Sequence, residues 1–114
     1  MIKIELWQEI QEKQKMLDKA ICELAQNGYK FAECERDYKI AVNKKALELR
    51  SQDVPVTLIN QVIYGYEDIA KLRFERDTAQ VKYNANLEYI NSTKLNIRIL
   101  SNQLDKEYGN TKGV

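Results

Sequence analysis

Chemistry in this chain has to start from its nucleophiles, bases and metal ligands, and histidine, the commonest general base and metal ligand, is absent from all 114 residues. Cys22 and Cys34 lack the spacing of zinc-binding pairs. On one helix they would stand about 18 Å apart at 1.5 Å per residue, too far to pair with each other. They read as reduced packing residues, with an intermolecular bridge as the alternative. The four glycines are scattered, and none precedes the Lys-Ser/Thr pair of a phosphate-binding loop. A serine nucleophile would have no base to activate it. The carboxylates mostly stand at helical spacing from a cation, as in Glu9 with Lys13, Glu35 with Lys39 and Glu67 with Lys71. Such pairs belong to solvated helix faces. The expectation is a protein without enzyme activity, with no catalytic residue, no cofactor and no metal.

Nucleic-acid binding would need a basic field, and 18 basic residues against 17 acidic ones leave a net charge of only +1. The charges are also mixed along the chain, with 10 basic and 10 acidic residues up to Asp53 and 8 against 7 after it. The one stretch that departs from this lies between Glu88 and Asp105, where Lys94 and Arg98 stand among Asn91, Ser92, Asn96 and Asn102 with no acid. Lys94 and Arg98 are the candidate nucleic-acid contacts, and the seven tyrosines could stack on bases. Two cations make a weak phosphate footprint, and several tyrosines fall where core or rim packing is their usual role. The tripeptide Asn91-Ser92-Thr93 matches a glycosylation acceptor but falls inside a helical pattern, where it reads as coincidence.

The elements that carry these residues are helical. One proline, four glycines and an abundance of Leu, Ile, Ala, Glu, Lys and Gln favour helix. Two seven-residue ladders interleave in the first half: Trp7, Gln14, Ile21, Gly28, Glu35, Val42 and Leu49, and Ile10, Leu17, Leu24, Phe31, Tyr38 and Lys45. Offsets of three and four between ladders keep one stripe against a partner helix, so the spacing predicts a helix over about 4–51. Asn27-Gly28 is the natural place for a break. The ladder passes through Gly28 without a slip, which favours one helix, while a break there would give a three-helix arrangement. After Pro55 a dense apolar stretch predicts a short helix over about 57–64, with Asp53 or Thr57 as its cap and Gly65 as its stop. A second pair of ladders, Ile69, Arg76, Tyr83, Ile90, Ile97, Leu104 and Leu72, Ala79, Asn86, Thr93, Leu100, predicts a helix over about 67–107. Residues 109–114 should form a disordered tail. One domain over residues 1–108 is expected, all-α, as a long antiparallel helical hairpin with a short helix at the turn.

Setting Leu49 against Ile69 fixes a register in which Ile21 meets Ile97, Leu17 meets Leu100, and Gly28 lies opposite Ile90. Glu35 then falls near Tyr83 and within a turn of Arg76, as a buried polar cluster. A helix pair buries only one stripe from each member. Phe74, Val81 and Leu95 stand opposite the main stripe. Either the short helix covers Phe74 and the others are surface apolars, or they belong to an interface used in self-association. The segment from Val54 to Phe74 holds more apolar and aromatic residues than closing a hairpin needs, which makes Tyr64, Tyr66, Arg73 and Phe74 the candidate partner-binding residues. The expected partner is a second copy of the chain, as a dimer or higher homo-oligomer. No apolar run is long enough for a membrane span, and the polar N-terminal stretch meets acidic residues too early for a signal peptide, so no membrane association and a cytoplasmic location are expected.

The stretches "VPVTLINQVIYGYEDIAKLRFERD", "YINSTKLNIRIL" and "LDKEYG" resemble short helical proteins of temperate phages and prophages of Gram-positive bacteria. The likeness covers roughly residues 47–109 and rests on the Pro-Val-Thr turn, the segment from Leu72 to Asp77 and the acidic-aromatic-Gly ending. It implies an early-region accessory protein and transfers no catalytic residue. By analogy such a protein occupies a host protein, as inhibitors of host nucleases and defence components do. Two other roles stay open: a single-stranded nucleic-acid-binding accessory in phage replication or recombination, and a structural coiled-coil scaffold.

Overall fold

The computed structural model describes residues 2–112. They form α1 (Ile2–Ser51), α2 (Val56–Val62), a 3-10 turn (Ile63–Gly65) and α3 (Glu67–Lys112). The described residues contain no strand. The fold is all-α: two long antiparallel helices with a short helix at the turn. No helix among the described residues is long and apolar enough to cross a membrane. α1 runs unbroken through Asn27 and Gly28, so the three-helix alternative does not arise. α3 continues past the expected end to Lys112, where a frayed tail had been expected from Gly109 on, and Gly113 and Val114 lie outside the described residues.

The chain packs as two compact units. In the first, Met1–Ala25 with Asn84–Val114, Leu17, Ala20 and Ile90 form the buried cluster, and Leu24 and Ile97 pack against it. The Asn86 side chain donates to the Ala20 carbonyl at 3.1 Å, and Thr93, also buried, donates its hydroxyl to the Tyr89 carbonyl at 2.8 Å. Three ladder positions depart from expectation here, since Trp7, Gln14 and Ile21 are exposed. A straight helix of 3.6 residues per turn drifts about 20° per heptad from a strict seven-residue repeat. In this unit Ala20, one position before Ile21, therefore takes its place in the stripe beside Leu17 and Leu24.

In the second unit, Gln26–Tyr83, the register differs from the expected one by one heptad. Gly28 faces Tyr83, whose Cε1 would lie 3.1 Å from an added Cβ, rather than Ile90. Glu35 pairs with Arg76 rather than lying beside Tyr83, and Lys45 pairs with Asp68 at 3.6 Å. A slide of seven residues, about 10 Å, keeps every ladder position on the same stripe, so the apolar pattern cannot detect it. The turn decides it. Leu49 is covered by Ile59 of α2 and Ile63 of the 3-10 turn, with Val42, Ala46, Val54 and Tyr66 around them, and does not serve as the partner of Ile69.

The cap between α1 and α2 is also unlike the expected one. Asp53 does not cap α2. It sits at φ 61° just past the end of α1, with its N–H on the Arg50 carbonyl at 3.1 Å and the Val54 N–H on the Leu49 carbonyl at 3.1 Å. That is the left-handed C-cap in which the residue after it packs back on the last turn, here Val54 against the cluster around Leu49. Extended Pro55 precedes α2 and its carbonyl accepts from Leu58 and Ile59, while Thr57 makes no cap. At the start of α3, Glu67 and Asp68 favour the positive end of the helix, and Asp68 accepts from the Ile69 N–H at 3.0 Å.

Candidate functional site

Four residues from the turn and the start of α3 are the predicted partner contact, and the second unit distributes them over three environments. Tyr64, on the 3-10 turn, is 48% exposed, and the Arg73 guanidinium lies 5.4 Å from its ring centroid. A cation over an aromatic face is worth about 0.5–1 kcal/mol at an exposed site, so the pair fixes both side chains without burying either. Phe74, the next residue of α3, is 70% exposed. α2 does not cover it, because its two inward residues, Ile59 and Ile63 just after it, are committed to Leu49. Tyr66 is the correction among the four. It is half-buried against the Leu49 cluster, and Lys45 Nζ sits 4.8 Å from its ring while reaching Asp68.

Phe74 borders a groove of about 440 Å³ formed with Lys30, Cys34, Glu75, Thr78 and Lys82. Cys34 is buried beneath it, whereas Cys22 is exposed, so the packing role expected of both thiols holds for Cys34 alone. Seven residues along α3 from Phe74, Val81 is 68% exposed. Exposed Val56, Leu58 and Val62 form the outward side of α2. This surface is the surplus of apolar residues that the hairpin leaves outside its core.

Behind it lies the polar centre. Arg76 bonds Asp77 Oδ1 at 2.7 Å, pairs with Glu35 at 3.7 Å, and stacks on the Tyr38 ring at 4.6 Å; Glu35 also reaches Lys39 at 3.5 Å. The hydrogen bond it donates to Asp77 does most to hold the Arg76 guanidinium above its ordinary pKa, against partial desolvation, with the charges of Asp77 and Glu35 adding to it. Glu35 keeps about a third of its side-chain surface exposed, so the cluster is wetter than expected.

In the first unit, Lys94 and Arg98 are both exposed one turn apart on α3, with exposed Asn91 and Asn102 at adjoining helical spacings. They pair with no acid among the described residues. An aromatic recess that no sequence pattern points to lies near the helix ends, where Ile4, Trp7, Leu104 and Tyr108 line a hollow of about 360 Å³ and Lys3 lies 4.7 Å over the Tyr108 ring. Trp7 lies on the ladder expected to pack, yet it is exposed and opens onto this hollow. No group of three Cys, Asp or Glu residues among those described could hold a metal ion. No protein-family model matches the chain, and neither a curated protein nor a solved structure matches it.

Proposed function

We propose that the chain is a non-catalytic interaction module that self-associates and docks on another protein through the outer surface of its second unit. The observation that carries this reading is that Tyr64, Arg73, Phe74 and Val81 of the second unit are all exposed, uncovered by the protein's own core, with Phe74 at the edge of an open groove. Aromatic and arginine side chains dominate interface hot spots, and Arg73 on Tyr64 is already ordered, which lowers the entropy lost on binding. The phage-type accessory role, with a host nuclease or defence component as the second partner, rests on the sequence resemblance alone.

The test is sedimentation equilibrium of the parent and of a Tyr64→Ala/Phe74→Ala double variant. Loss of two such anchors should weaken association at least about tenfold while helix content persists. A parent that stays monomeric at high concentration, or a double variant of unchanged mass, would remove the reading. Tyr66→Ala is a poor probe, since Tyr66 packs on the Leu49 cluster and its loss would also destabilise the fold.

A further inference from the structure

We infer that the second copy docks antiparallel on α3, with Phe74, Thr78 and Val81 of each chain forming the seam and Glu75 of one copy meeting Lys82 of the other on its flank. This deepens the self-association proposed above and rests on it. Phe74, Thr78 and Val81 follow one another at spacings of four and three on α3, all are exposed, and this is the spacing by which one helix keeps a stripe against another. Glu75 and Lys82 flank this stripe one position beyond Phe74 and Val81, line the same groove, and are exposed. Neither forms an ion pair with any described residue, although most charges around them do: Arg76 and Asp77 hold each other, and Lys39 reaches Glu35.

Orientation follows from those two unspent charges. In a two-fold antiparallel pair, positions on the same flank face each other, so a register with Thr78 opposite Val81 sets Glu75 of each copy against Lys82 of the other, twice by symmetry. Sliding by one heptad either way sets Glu75 against Glu75 or Lys82 against Lys82. A parallel pair would leave Glu75 facing neutral Ala70 and would draw on Asp77, which Arg76 already occupies at 2.7 Å. The segment from Phe74 to Lys82 spans only about 12 Å of helix, short of what buries the roughly 800 Å² per partner of stable interfaces. The dimer is therefore a dissociating one.

The experiment is sedimentation equilibrium at low salt on the parent, Glu75→Lys, Lys82→Glu, the double swap, and an equimolar mixture of the two single variants. Both positions changed, Glu75 and Lys82, are exposed on α3, and circular dichroism verifies that the fold persists. Each single swap should weaken self-association by roughly tenfold or more, because it turns both attractive pairs into repulsive ones. The double swap should return to within about threefold of the parent. Mixing the single variants should restore dimers as heterodimers, since each then meets the opposite charge on its partner at both sites. Single swaps that dimerise as the parent does, while Phe74→Ala dissociates it, would overturn the antiparallel pairing and leave self-association standing. A parent that never leaves the monomer would overturn both.

Discussion

At Gly28 an added methyl would approach Tyr83 Cε1 at 3.1 Å, close enough that the ring must give by a few tenths of an ångström. Against that stands the helix preference of Ala over Gly, about 1 kcal/mol in a helix interior. Gly28→Ala is therefore expected to change stability by less than about 1 kcal/mol in a urea titration. Gly28→Leu should lose about 2–3 kcal/mol by overpacking against a ring already 6.1 Å from the Phe31 centroid. If both variants unfolded at the parent's midpoint, the close approach of Gly28 and Tyr83 would be wrong. Arg76 invites a second comparison, because it serves Asp77, Glu35 and the Tyr38 ring together. Glu35→Leu should shift stability by under about 1 kcal/mol, since Arg76 keeps Asp77 and a partly exposed ion pair is screened by water. Arg76→Ala should lose about 1–2 kcal/mol, because it also uncovers Tyr38. A larger loss from Glu35→Leu than from Arg76→Ala would show that the glutamate, not the guanidinium, organises the cluster.

Among the elements, the short helix has the largest effect for its length. Ile59 and Ile63 are almost fully buried, and they, not Ile69, close the end of α1 at Leu49. Ile59→Ala and Ile63→Ala are each expected to lose about 2–4 kcal/mol, measured by thermal or chemical unfolding. Asp53→Gly should gain about 0.5–1 kcal/mol, because a left-handed φ of 61° is strained for any residue with a Cβ; a loss instead would show that the Asp53 side chain contributes something the backbone geometry conceals. These two sites also mark the limit of what apolar periodicity encodes. Every ladder position of α3 between Ile69 and Leu104 is buried or half-buried, because apolar periodicity is set by one helix alone. Register is set by two helices and a turn, and a heptad slide leaves both stripes intact, so Gly28 could be placed against Ile90 as well as against Tyr83. The cap at Asp53 is hidden for a related reason: an aspartate just ahead of a helix reads as an N-cap, and only the backbone shows that it ends α1. Of the candidate contact, Tyr64, Arg73 and Phe74 were legible as a surplus over what the turn must bury. Tyr66 was not, since it is extended between the 3-10 turn and α3, where no period says which way a ring turns.

For the molecule as a whole, the balance of buried and exposed apolar residues bears on its behaviour in solution. Among the described residues only Ile69 of the large side chains is fully buried, while Phe74, Val81, Leu47, Tyr29 and others are half or more exposed. A chain of 114 residues with so thin a core should gain noticeably from any surface that a second copy covers. When two folded chains must separate to unfold, the midpoint depends on concentration: a hundredfold rise above the dissociation constant adds about 2.7 kcal/mol per dimer, half of that per chain. For a domain of this size that is a rise in Tm of roughly 4–8 °C, readable by circular dichroism across two decades of concentration. Phe74→Glu places a charge in the seam without touching the hairpin core, so it should leave the dilute-solution Tm nearly unchanged and abolish the rise. A parent whose Tm is the same at both ends of the concentration range would mean that the apolar face stays in water. In that case Phe74→Glu would only make the surface more soluble, and the search for a partner would have to turn from a second copy to another protein.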